Sequence, residues 1–306
     1  QGLKKIKNSS REAFKLLNSH LKKDILVSDD IGFTIAPKLN SAGRMDDASI
    51  ALNFLLSKDQ SSAYESLAVL DELNSYRKTI QERISNEAEQ KSNKEDRAVV
   101  VWAEDWHEGI IGIVASKLSN SHKKPAFIFS IQNGIAKGSA RANSNINLYD
   151  LISKASHLLL GFGGHKNAAG LSLLEENLPE FKEIINKEIE KADDILHNEF
   201  ITLGELDVSS VDLEFISIIE SFEPYGLENN RPVFKVSNAN LVKSELIGKD
   251  KNHLKLTLSS DGFVFEALKF FNSNTNLNDK LDLIVSISKN EFRGVVTPSF
   301  LIQEFL

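Results

Sequence analysis

The 306 residues contain no cysteine. That absence excludes disulfides, thiolate metal centres and cysteine nucleophiles, and it fits a cytoplasmic address. Long apolar runs are also missing. No stretch approaches the roughly 20 residues that cross a bilayer, so no membrane partner is expected. The opening QGLKKIKNSSREAF is basic with no apolar core behind it, unlike a secretory leader. The first residue is not methionine, so a processed or truncated chain is expected. An overall positive charge is lacking too, the formal net charge being −7. Its distribution says more than its sum. Residues 98–170 carry seven Lys/Arg against four Asp/Glu, a net of +3, whereas residues 171–220 carry three against fourteen, a net of −11. The acid is thus concentrated in one block, which reads as a solvated helix face. The total neither requires nor forbids a phosphate-bearing ligand.

The apolar share, 41%, is ordinary for a soluble fold, and the length suits two or three domains. The densest local signal is GFGGHKNAAG at 161–170, with four glycines, two alanines and one histidine flanked by apolar segments. Small residues bury little area, and a helix C-cap needs one glycine rather than four. The stretch reads as a tight loop that exposes the amides of Gly163 and Gly164 and holds His165 over a ligand. Its plainer alternative is a C-cap followed by a turn. KGSARAN at 137–143 is a second small and basic stretch. Period two puts Ser139 and Arg141 on one strand face, where a hydroxyl and a guanidinium can share a phosphate. The alternative there is a solvated edge.

Taken in order, residues 10–27 read as a helix. APKLNSAGRM at 36–45 is rich in turn formers, and an apolar stripe follows from Ala48 to Leu56. Arg44 precedes that stripe and suits an anion, or else pairs with Asp46 or Asp47. Residues 61–96 read as one long polar helix with a thin apolar seam, the pattern of a helix that bridges two domains. From 98 to 196 strands and helices alternate, as AVVVWA, PAFIFS and a GIAKGSARA strand broken by Gly138. A helix capped by Asn147 runs to Leu159, and Asn177 caps the last helix. Trp106 and His107 stand before a helix start, to stack on a base or to close the core.

Residues 199–306 differ. A strand over Phe200–Leu206 and a helix over Val211–Phe222 lead to FEPYGLENNRPVF, and five strand candidates follow. HLKLTL alternates cleanly. A five-stranded barrel or a sandwich fits, and such barrels bind single strands. Lys243, Lys249, Lys251, His253 and Lys255 would give a basic edge, and Phe270 and Phe271 stacking surfaces. Solvated lysines over an ordinary core are the alternative.

In order and spacing, APKLNSAGRM, WHEGIIGIVASKL at 106–118, KGSAR, GFGGHKNAAG and FEPYG…RPVF resemble the RecJ family of single-strand-specific exonucleases, within the DHH phosphoesterase superfamily. The resemblance implies a catalytic-domain tail over 1–60, a connecting helix over 61–97, an α/β DHH-associated domain over 98–197 and an oligonucleotide-binding barrel over 198–306. It implies 5′-to-3′ hydrolysis of single-stranded DNA with Mn²⁺ or Mg²⁺, in DNA repair and recombination, alongside a single-strand-binding protein or a RecQ-type helicase. The family's Asp-His-His motif occurs nowhere in this sequence, and the seven histidines are all isolated. The metal ligands are therefore expected outside it, and no catalytic or metal residue is assigned. By the resemblance, Arg44, Ser139, Arg141, Gly163, Gly164 and His165 hold phosphate. Further contacts are expected from Asn40, Trp106, His107, Lys137, Lys166, Asn167, Lys251, His253 and Lys255. The rival readings are a DHH phosphoesterase for short oligoribonucleotides or cyclic dinucleotides, and a nucleic-acid-binding protein without catalysis.

Overall fold

A computed structural model describes residues 1–142, 145–191, 201–226, 228–248, 251–270, 272, 275–292 and 294–306. The chain divides into two compact units, Gln1–Asn198 and Glu199–Leu306.

The first unit opens with α1 (Gly2–Lys7), α2 (Glu12–Leu21), a π-helical turn (Asp30–Ile35), α3 (Ala36–Met45) and α4 (Ser49–Leu56). APKLNSAGRM is thus a helix and not a turn. Pro37 sits in the first turn, where its missing N–H costs nothing, and the buried Ser41 satisfies its hydroxyl on Lys38 O at 2.6 Å. Asp47 accepts from Ser49 N at 2.8 Å at the start of α4, and that bond draws its carboxyl below the usual range. The long helix is α5 (Gln60–Lys91), 32 residues or about 48 Å, capped by Asp59 on Ser62 N. Its seam serves two cores. Ala63, Leu67 and Leu70 pack with α2, α3 and α4, while Ile84 and Ala88 pack with the sheet that follows.

That sheet has five strands in the order β1-β2-β3-β5-β4. They are β1 (Val99–Glu104), β2 (Ala126–Gln132), β3 (Ile135–Arg141), β4 (Leu159–His165) and β5 (Ala168–Leu174). Only the β1–β2 pair, joined through α6 (Glu108–His122), is parallel. α7 (Leu148–Ser153) ends before the expected Leu159, which begins β4 instead, and Asn147 caps it on Tyr149 N. α8 (Leu178–Glu190) covers one face with Phe181 edge-on to Phe127 and Phe129. Asn177 stands at its start without a side-chain cap and donates to Leu158 O. GFGGHKNAAG is therefore a β-hairpin rather than a loop. Gly138 does not break β3. A Cβ there would fall 2.3 Å from Phe129 Cε1, so glycine lets that ring lie on the strand.

In the second unit α9 (Leu213–Ser221) precedes a closed barrel of β6 (Val233–Ile247), β7 (His253–Ser260), β8 (Phe263–Lys269), β9 (Lys280–Phe292) and β10 (Val295–Phe305), ordered β10-β8-β7-β6-β9. Closure removes the exposed edges that five strands would otherwise leave. The strand expected over Phe200–Leu206 reduces, among the described residues, to one bridge from Glu205 to Lys235. FEPYG…RPVF is a clasp. Arg231 lies over the Tyr225 ring at 4.7 Å and pairs with Glu223 at 3.2 Å, and Tyr225 donates its hydroxyl to Ile219 O on α9. Burial raises the Tyr225 pKa, which keeps that donor protonated.

Gly138→Ala forces Phe129 or Leu171 aside in a closed core. It is expected to cost roughly 1–3 kcal/mol, as overpacking does. Thermal denaturation checks this, and an unchanged melting temperature contradicts it.

Candidate nucleic-acid interface

The registers of β3, β5 and β4 place residues in transverse rows. Arg141, Ala168 and His165 form one row, Ser139, Gly170 and Gly163 the next, and Lys137, Ser172 and Gly161 pair along the third. Directly opposed residues project to the same face. The intervening residues Ala140, Ala169, Leu171 and Leu173 face the core under α7 and α8. On the row face, Val99, Val101, Ala126 and Ile128 of β1 and β2 lie under α5 and α6. The β5–β4 half carries almost no side chains. Gly161, Gly163 and Gly170 are exposed, and nothing stands within 4 Å of a Cβ built on Gly161 or Gly163. The result is a floor of bare backbone, with Ser139 and Arg141 on one side and His165 two strand spacings away, roughly 10 Å. Gly164 points the other way. A Cβ there would lie 2.4 Å from Ala168 O, so glycine is needed for packing. At the hairpin tip, Lys166 O and Asn167 O accept from Leu148 N and Ala142 N, which fixes the turn while both side chains stay exposed.

The start of α6 forms the wall. His107 caps it, its Nδ1 accepting from Gly109 N at 3.1 Å. Two glycines one turn apart bring other elements against it. A Cβ on Gly109 would fall 2.2 Å from Arg44 O, and Arg44 Nη1 donates to Gly109 O at 3.0 Å. A Cβ on Gly112 would stand 3.1 Å from Ser139 Oγ and 3.2 Å from Arg141 Nη2. Arg141 Nη1 donates to Ser139 Oγ at 3.0 Å and to Ala140 O at 2.7 Å.

A third guanidinium enters from α5. Arg77 donates to Asn74 Oδ1 at 3.1 Å and to Gln81 Oε1 at 2.7 Å. Burial, then the charge of Arg44, pushes the pKa of both Arg77 and Arg141 down. Arg44 is thus the charge felt by both of the others, and every acceptor the three hold among the described residues is neutral. Among the described residues no carboxylate pairs with any of them. Lys137 on the same face is different, because it pairs with Glu108 at 3.0 Å.

The DHHA1 domain family matches residues 95–191 and the RecJ OB domain family residues 204–304. The single-stranded-DNA-specific exonuclease RecJ of Bacillus subtilis is 31% identical across 99% of this chain and 40% of its own length. That of Haemophilus influenzae is 34% identical across 87% and 50%. A crystal structure of Thermus thermophilus RecJ with Mg²⁺ matches 99% of this chain and 47% of that one at 26% identity, with a TM-score of 0.83. The chain belongs to the RecJ family. It spans about half the length of the curated relatives it matches.

Another Thermus thermophilus RecJ structure, similar at a TM-score of 0.82, was solved with Mn²⁺. In the present RecJ chain, no three His, Asp or Glu side chains among the described residues come together as a metal site. The donor set on the described residues does not fit a metal pair, and no chemical step is assigned to one here.

Of the residues singled out from sequence, the structure gathers Arg44, Ser139 and Arg141 at the α6 start. Asn40 is exposed one turn before Arg44 on α3, with His107 and Lys137 nearby on α6 and β3. His165, Lys166 and Asn167 stand across the floor. Trp106 is a correction. It is 1% exposed, with its indole N–H on Glu87 at 2.7 Å, and has no face left for a base. On the barrel, two lysines of the expected basic edge stand in ion pairs. Lys255 pairs with Glu266 at 2.7 Å and Lys243 with Glu245 at 2.6 Å. Lys251 is exposed, and the half-buried His253 stands edge-on to Phe270 at 5.2 Å, while Lys249 and Phe271 lie outside the described residues. Sequence reasoning missed Arg77. An arginine in a 32-residue polar helix carries no signal until the fold brings it to Arg44.

Gly109→Ala is expected to lower the melting temperature by several degrees, because the methyl meets backbone rather than a movable side chain. Gly161→Ala, opening on empty space, serves as the control in the same thermal scan. Equal melting for the two variants would contradict the packing described.

Proposed function

We propose that this chain supplies the strand-holding part of a RecJ-type 5′-to-3′ exonuclease acting on single-stranded DNA. The observation that carries the reading is the cluster of Arg44, Arg77 and Arg141, half-buried and without a carboxylate, beside a floor stripped of side chains. A phosphodiester backbone supplies the missing anions, and guanidiniums suit it by geometry as well as charge. Ser139 adds a hydroxyl. His165 approaches the strand from the far side, and the bare backbone at Gly163 and Gly170 lets the nucleotide lie close. These residues bind and orient, which lowers the entropy cost of reaction. In this reading the divalent metals are held by groups other than the described residues. The division into catalytic-domain tail, connecting helix, DHH-associated domain and nucleic-acid-binding barrel belongs to the same reading, as does a cytoplasmic address.

Fluorescence anisotropy with a labelled single strand tests it, with a gel of the same samples run in Mn²⁺. Binding without cleavage is expected from this chain. Arg77→Ala and Arg141→Ala should each weaken binding about tenfold and reduce the salt slope by roughly 0.7, the value of one lost phosphate contact on a single strand. A slope that stays put in both variants removes the cluster from the strand path.

A further inference from the structure

The most basic stretch of the chain lies far from this cluster in sequence. Residues 1–24 carry seven Lys/Arg against two Asp/Glu, while the remaining residues carry 29 against 41. The fold concentrates that charge. α1 is laid back on α2, with Asn18 Nδ2 donating to Ile6 O at 3.0 Å and Lys7 O at 3.1 Å, and Lys7 Nζ reaching Lys23 O. The last turn of α1 and the end of α2 therefore meet, and each brings lysines: Lys4, Lys5 and Lys7 from one, Lys22 and Lys23 from the other. Lys23 is committed to Asp30. Lys4, Lys5 and Lys22 are exposed, and none of the three has a carboxylate partner among the described residues. Lysines at helix C-termini favour the dipole, but two would serve and five are present.

We infer that Lys4, Lys5 and Lys22 form a second phosphate-contacting surface, which engages nucleotides of a single strand beyond those held by Arg44, Arg77 and Arg141. This rests on the strand-holding reading above. The partner's chemistry follows from the sign and the form of the charge. Ammonium groups on flexible stems bind a polyanion as point charges without reading sequence. The same compact unit already presents unneutralised guanidiniums, so one phosphate backbone can serve both.

Oligonucleotide length separates the two surfaces. Anisotropy is measured over a salt series with a 6-nucleotide and a 30-nucleotide single strand, for the parent chain and for the triple variant Lys4→Gln, Lys5→Gln, Lys22→Gln. The triple variant should bind the short strand within about twofold of the parent. On the long strand its salt slope should fall by roughly 2, for three lost contacts at about 0.7 each. The companion variant Lys4→Arg, Lys5→Arg, Lys22→Arg should restore the slope, which a merely frayed helix would not allow. An unchanged long-strand slope in the glutamine variant overturns the inference while leaving the guanidinium reading intact. Equal losses on both strands overturn it too. If the parent binds neither strand, both readings fall. A shift in the parent's sedimentation that the glutamine variant loses assigns the lysines to the acidic face of a second copy and overturns the inference.

Discussion

Three like charges, with no carboxylate paired to them among the described residues, are the constraint on which the first unit depends. Like charges in a half-buried site repel, and burial adds a desolvation cost, which is the larger cause of the lowered pKa at Arg77 and Arg141. Left to themselves, such side chains would turn to solvent. Here each is tethered to neutral acceptors: Arg44 to Gly109 O, Arg141 to Ser139 and Ala140 O, Arg77 to Asn74 and Gln81. The acceptors come from a helix start, a strand and a long helix, so the cluster exists only when all three elements are in place. The downward pKa shifts of Arg77 and Arg141 register the same strain. An anion at this point would relieve both the repulsion and the desolvation.

The glycines are explained by that arrangement rather than by turns. Gly109 brings α3 against α6 more closely than a side chain would allow, and Gly112 leaves room on α6 for the side chains of Ser139 and Arg141 from β3. Gly138 and Gly164 pack the opposite face of the sheet. Gly161 and Gly163 meet nothing at all, so packing does not require them. What they provide is absence, a stretch of main chain that another main chain or a sugar–phosphate can approach. A single stretch such as GFGGHKNAAG thus mixes two kinds of glycine, and only the register across β5 tells them apart.

This is also why the sequence was legible in some places and not in others. HLKLTL reads as a strand because side chains alternate with period two, and it is one. α5 is legible because its seam repeats at helical spacing over 32 residues. APKLNSAGRM misleads because composition, taken without position, hides that a proline in the first turn starts helices as readily as it ends them. The glycine hairpin misleads because small residues look like loop when a strand face must stay empty. Ser139 and Arg141 were visible as a pair two residues apart, but Arg77 was not. Its place beside Arg44 is set by how a helix packs, and no local spacing records that.

The two units use charge in opposite ways. On the barrel two lysines of β6 and β7 have a glutamate beside them, Lys243 with Glu245 and Lys255 with Glu266. A phosphate arriving there would have to displace a carboxylate at close range, and exposed pairs of this kind are held too weakly to forbid it. In the first unit no such exchange is needed among the described residues, since the partners the guanidiniums would give up there are neutral. On the strand-holding reading, a phosphate would therefore displace less at the α6 start than at these two lysine pairs.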